Sequence, residues 1–211
     1  MISLWTFACK LYSDSWVKNA CLTLQDNCAV NVPLLLTCCW ASHRFQPIAP
    51  NTAAALQQCA AQWEGGCIQP LRQLRREMKG KPFTADDDGV AWRYAREQIK
   101  AIELSAEQSL LQTLERSMQQ ECIELDIDIK TGYFNEDDKQ AAFLWIDRLL
   151  SDIHQCFPHI MQLTGTAKDM AHGAIAQIVL AVIHAGHPQI QYDALLIHVN
   201  GYRLQRLVSG H

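Results

Sequence analysis

The chain has 211 residues, of which 49% are apolar and 19% charged, and its formal net charge is −4. That length suffices for one large domain or two small ones, with enough apolar residues for a sizeable core. A mildly acidic chain is repelled by phosphate unless it carries a local basic patch, so nothing global points to nucleic acid.

The elements follow in chain order. Leu4, Phe7, Ala8, Leu11 and Tyr12 recur at helical spacing, and Asp14 or Ser15 can cap a second helix with Val17, Ala20, Cys21, Leu24 and Cys28 on one face. Residues 30–42 are apolar on nearly every side. A helix of that kind is central, and Pro33 is harmless in its first turn. Residues 45–51 read as a loop because two prolines interrupt them, after which Asn51 or Thr52 caps a helix through Trp63. Gly65-Gly66 is expected to break that helix, with a basic helix resuming over 67–79 and a polar loop over 80–89. The longest helix runs from Val90 to about Gln120, on the stripe Trp92, Ala95, Ile99, Ile102, Ala106, Leu110, Leu114 and Met118.

Beyond it the period changes. Ile123, Leu125, Ile127 and Ile129 alternate with Glu124, Asp126, Asp128 and Lys130, which predicts a half-buried strand over 122–130. A helix follows with Phe143, Ile146, Leu150 and Ile153 on one face, and another covers about 167–185. Asn200-Gly201 between apolar runs is a hairpin signal; a continuous helix from Ile190 to Leu207 is the competing reading. The expected fold is therefore mainly α. It comprises an N-terminal helical bundle over 1–120 and a smaller α+β part over 121–211, with room for a three-stranded antiparallel sheet.

The most apolar run, residues 174–185, is far shorter than the ~20 residues of a membrane span, and no secretory signal opens the sequence. Nine cysteines, an odd number with no CxxC pair, read as reduced core residues. The expectation is a soluble cytoplasmic protein without membrane association.

The run from Trp5 to Trp40 resembles the opening of a bacterial family defined only as a domain of unknown function. The likeness rests on Cys21, Leu22, Leu24, Gln25 and Asp26, then on Asn31, Leu34, Leu35, Leu36 and Trp40. Residues 69–79 and 102–108 carry two further matches, so the resemblance covers about 4–118; Pro33 departs from it, standing where an aliphatic residue is expected. It implies membership and no mechanism.

Four groups could carry chemistry. Arg72, Arg75, Arg76 and Lys79, with Lys81 beyond, form a basic face suited to an acidic protein partner or, with less support, to RNA. The plainer reading is a solvated helix face whose cations suit the helix C-terminus. Arg96, Lys100, Glu103 and Glu107 share one face of the long helix. Glu103 and Glu107 can pair with Arg72, Arg75 or Arg76; two carboxylates at that spacing could also ligate a metal or form an acid/base pair, although metal ligation usually needs further donors. Gln25, Asp26 and Asn31 surround the second turn, where capping by Asp26, Asn27 or Asn31 is the simple reading. Late histidines, including His172, His184 and His187, have spacings that could offer metal ligands, but Gly186 and Pro188 argue that a helix ends there. No nucleophile motif, P-loop or Rossmann pattern occurs, and neither metal nor cofactor is expected. The leading expectation is a non-catalytic interaction module facing an acidic partner. The alternative is an enzyme or small-ligand binder with a polar Arg/Glu pocket between helices 67–79 and 90–120.

Overall fold

A computed structural model describes residues 2–42, 47–79, 89–124, 139–186 and 198–199. Among these the architecture is helical. α1 (Leu4–Tyr12), α2 (Ser15–Cys28) and α3 (Val32–Ser42) open the chain. α4 (Pro50–Trp63) runs through a π-helical turn, Glu64–Ile68, into α5 (Gln69–Lys79). α6 (Val90–Glu124), α7 (Lys139–Cys156), a short 3-10 turn and α8 (Gly165–Gly186) complete it.

The first helices start where their caps dictate. Ser3 Oγ accepts the Thr6 N–H at 3.2 Å, and Asp14 Oδ1 accepts that of Trp16 at 2.7 Å. Each satisfies a donor that the helix itself cannot. α2 ends as Ala29 turns left-handed (φ 52°), with the Val30 N–H donating to Leu24 O at 3.2 Å. Asn31 Oδ1 then accepts the Leu34 N–H at 2.9 Å and caps α3. Every residue of α3 from Val32 to Ser42 is buried, as its all-round apolar character requires. It packs against α1, α6 and α7, while α2 packs chiefly against α8.

Polar ties fix these layers. Trp145 Nε1 donates to Ser42 O at 2.8 Å, and Asp152 Oδ1 accepts the Ile48 N–H at 3.0 Å. Gln57 Nε2 donates to Gln155 O and Cys156 O at 3.1 and 2.8 Å, satisfying carbonyls at the end of α7. The Leu4 N–H reaches Glu115 Oε2 at 3.2 Å and anchors the start of α1 to α6.

Several expectations are corrected. α4 begins at Pro50, one residue before the expected cap; Ala49 precedes it without a side-chain cap, because proline at the first helical position is already set to helical φ. Gly65-Gly66 does not break the helix. Pro70 lacks an N–H and its ring would press on the Gly66 carbonyl in a regular α-turn. The chain widens instead into a π-turn closed by the Gln69 N–H on Glu64 O, and the burial of Ile68 holds it in place. The strand expected over 122–130 fails at its start, since α6 continues helical to Glu124. Alternation over so few residues yielded to the propagation of a helix already formed. Its remainder, the Asn200-Gly201 hairpin and the loop 80–88 lie outside the described residues. No strand occurs among the described residues, so the three-stranded sheet gains no support. None of the described helices is long and apolar enough to cross a membrane.

Candidate functional site

The sequence 69–79 places Leu71, Leu74 and Met78 among four cations, which suggests one apolar and one basic face. The structure divides the cations differently. Arg72 is buried to 4% exposure and is held on every edge of its guanidinium. Nη1 donates to Glu64 Oε1 at 2.7 Å and Gln69 Oε1 at 3.4 Å, Nε to Glu103 Oε1 at 3.3 Å, and Nη2 to Glu107 Oε1 at 3.1 Å. Arg75 grips Glu103 with two donors, Nε to Oε2 at 2.5 Å and Nη2 to Oε1 at 3.2 Å. The planar guanidinium forks match carboxylate geometry in a way a lysine could not.

Arg72, Arg75, Glu103 and Glu107 thus come together as the sequence suggested, between α5 and α6. Arg96 and Lys100 do not join them. Arg96 pairs with Glu97 at 3.3 Å and donates through Nε to Arg75 O at 3.3 Å, and Lys100 reaches Glu97 at 3.3 Å. Lys79 is exposed, and Lys81 lies outside the described residues. Arg76 turns away from α6 and meets Asp26 at 2.6 Å, both side chains about half exposed.

Two guanidinium groups face three carboxylates in this cluster, an excess of one negative charge. Burial pushes the Glu107 carboxyl above its ordinary value, although Arg72 pulls the other way. Burial works against the charge of Arg72, but Glu64 and Glu107 outweigh it and its pKa rises. The hydrogen bonds to Glu103 raise that of Arg75. Nearby Tyr12 is pushed up to about 12, by burial first and then by Cys21 and Glu107. It is a neutral phenol at physiological pH.

On the side of α5 facing the α2–α3 turn lies a cleft of about 340 Å³. Gln25, Asp26 and Asn31 form one wall; Glu64, Gln69 and Arg76 form the other, and buried Arg72 lies at the bottom. Asn31 spans the two walls, with Nδ2 donating to Glu64 Oε2 at 3.0 Å while Oδ1 caps α3. The volume falls at the small end of the range for ligand sites, roughly 300–1,000 Å³. The reading of Asn31 as a cap holds, whereas Asp26 serves as a partner for Arg76.

Sequence reasoning missed Glu64 and Gln69. Glu64 precedes the Gly65-Gly66 pair that looked like a helix end, and Gln69 closes the turn that contains it. The signal was Pro70, four residues after Gly66, since the carbonyl a proline would press on can be moved aside by a π-turn. Such turns are frequent at functional sites.

Among the late histidines, His159 Nε2 lies 3.0 Å from Cys28 O, and His198 Nε2 lies 3.0 Å from Asp147 Oδ1 while stacking on Phe143. His187 and His211 lie outside the described residues.

Fold and site together define a helical protein with a polar, charge-balanced cleft beside a π-turn. The chain belongs to the family described as Protein of unknown function (DUF2390), which matches residues 3–114. The segments that carried the resemblance, around Gln25, Asn31 and Gln69–Lys79, meet at this cleft. No curated protein and no solved structure matches the chain.

Proposed function

We propose that the protein is a binding protein for a small polar molecule, held in the cleft between the α2–α3 turn and α5. The observation that carries this reading is the division of labour between two arginines. Arg72 is committed to three carboxylates and makes a fixed floor, while Arg76 at the mouth touches Asp26 through Nη2 alone. A rigid base with an adjustable polar rim is what a small-molecule site needs.

The acidic-partner reading has less support. Arg72, Arg75 and Arg76 are each paired within the chain, so an acidic partner would have to displace carboxylates already in place. Of the four α5 cations, Lys79 is left exposed without such a pair among the described residues. The alternative pocket between α5 and α6 also has less support, because ion pairs occupy that space; the cleft opens towards α2 and α3.

The test is a thermal-shift screen of polar metabolites against the wild type and Arg76→Gln. A molecule at 100 times its Kd stabilises the native state by about 2.7 kcal/mol. Hits that stabilise the wild type but not the variant support the reading. Hits indifferent to Arg76→Gln, or none, sink it.

A further inference from the structure

We infer that the cleft takes a zwitterion the size of an amino acid, with carboxylate and ammonium separately recognised by Arg76 and Asp26; this rests on the cleft being a ligand site, as proposed above. Three observations combine.

The first is charge. Asp26 stands across the cleft from Arg76, and Glu64 pairs with Arg72 beneath them, so the four charged side chains that line it sum to zero. A lone anion drawn to Arg76 must separate it from Asp26 and then lie beside two carboxylates. A lone cation drawn to Asp26 must separate it from Arg76 and leave that guanidinium uncompensated. A zwitterion replaces the Arg76–Asp26 pair with two new pairs and leaves no charge uncompensated. Phosphates and nucleotides carry several negative charges and are disfavoured for the same reason.

The second is the ease of opening. The Arg76–Asp26 pair has side chains 52% and 49% exposed and a single contact at 2.6 Å. Exposed pairs of this kind contribute little and open readily. The surface beneath does not open with them: Arg72 at the bottom holds one oxygen of Glu64, and Asn31 holds the other. The entering molecule therefore meets a movable pair above a fixed surface.

The third is the remaining hydrogen-bonding character. Gln25 and Gln69 also line the cleft; Gln69 Oε1 accepts from Arg72 Nη1 at 3.4 Å, whereas a carboxamide such as that of Gln25 can both donate and accept. They suit a polar side chain, an amide above all, and the volume of about 340 Å³ admits a whole amino acid.

The test is isothermal titration of the full chain with L-glutamine and two truncated relatives. Glutaramate lacks the ammonium group, and 4-aminobutanamide lacks the carboxylate. A panel of the other common amino acids and inorganic phosphate completes the set. The expected result is binding of at least one amino acid, with a tenfold or greater loss on removing either charged group. Arg76→Gln and Asp26→Asn should each abolish it, with unchanged circular dichroism, while Lys79→Gln leaves it intact. The inference is overturned if no amino acid binds below 10 mM (an order-of-magnitude ceiling equivalent to about −2.7 kcal/mol), or if glutaramate or phosphate binds as tightly as the best amino acid. In either case the ligand-site reading survives if another polar molecule binds and is lost in Arg76→Gln; it falls with the inference if none does.

Discussion

Arg72 Nη1 stands 2.7 Å from Glu64 Oε1, and this contact joins the π-turn to the paired helices α5 and α6. The same guanidinium reaches Glu103 and Glu107, so one buried side chain holds three segments together.

Replacing it should therefore be costly. Arg72→Met keeps much of the volume but leaves Glu103, whose side chain is 8% exposed, and Glu107 short of a counter-charge. Breaking a buried pair from one side costs ~3–5 kcal/mol. The lower end, about 3 kcal/mol, is expected because Arg75 still covers Glu103. Urea unfolding of the two proteins measures it, and a loss below about 1 kcal/mol would show the cluster to be dispensable. Adding Glu103→Gln should recover part of the loss.

Asp152 gives the fold a pH dependence. Burial raises its carboxyl from 3.8 to about 6, against the opposing pull of the Ile48 hydrogen bond and the Arg148 charge. Its Oδ2 is buried without a hydrogen bond among the described residues. The folded state thus holds this proton more tightly than the unfolded chain. The resulting stabilisation is fully present below about pH 3.8 and is lost as pH rises through about 6. Asp152→Asn keeps an oxygen for the Ile48 N–H and removes the charge. It should melt higher than the wild type at pH 7.5, and the fall in stability between pH 4 and 6 should flatten. Melting curves across pH 4–8 decide; a lower melting temperature for the variant at pH 7.5 contradicts the assignment.

Thiol reactivity should follow burial. Cys9 is exposed, whereas Cys21, Cys38 and Cys39 are buried. Burial pushes the Cys21 thiol up to about 12 and raises that of Cys39. For Cys38 a hydrogen bond with Cys156 and then burial act in the same direction. Thiolate is the reactive form, so these three should resist iodoacetamide at pH 8 while Cys9 is labelled. Peptide mass spectrometry after native and denatured alkylation checks the order. Native labelling of Cys38 or Cys39 would contradict it.

The π-turn glycines should tolerate a side chain. A Cβ at Gly65 or Gly66 meets no atom within 4 Å, and neither residue has positive φ. Gly65→Ala should raise stability by ~0.4–1 kcal/mol by restricting the unfolded chain. Gly165 differs, since its φ of +57° strains any L side chain, and Gly165→Ala should lower stability by about 1 kcal/mol. Guanidinium unfolding of both variants tests the contrast; equal effects would refute it.

How far these features could be read from the residues depended on how local their causes are. α1, α2 and α3 declare themselves because caps and apolar spacing act within a turn, as with Asp14 and Asn31. The Glu103 and Glu107 partnership with Arg72 and Arg75 was legible because i, i+3 and i, i+4 spacings put like charges on facing stripes. The cleft was not. It unites Asp26, Glu64 and Arg76, which are far apart in sequence, and only the packing of α5 beside the α2–α3 turn brings them together. The strand expected at 122–130 failed where Ile123 alternates with its neighbours, because four more residues of α6 cost less than ending that helix.

The match to DUF2390 stops at residue 114, part-way along α6, whereas α8 covers α2 and α7 lies on α3. The part shared with the family is thus upholstered by helices outside the shared span. A fragment cut at that boundary would present bare apolar flanks to water and be prone to self-association. The edge of family likeness falls inside a helix, and a shortened chain should keep α7 and α8.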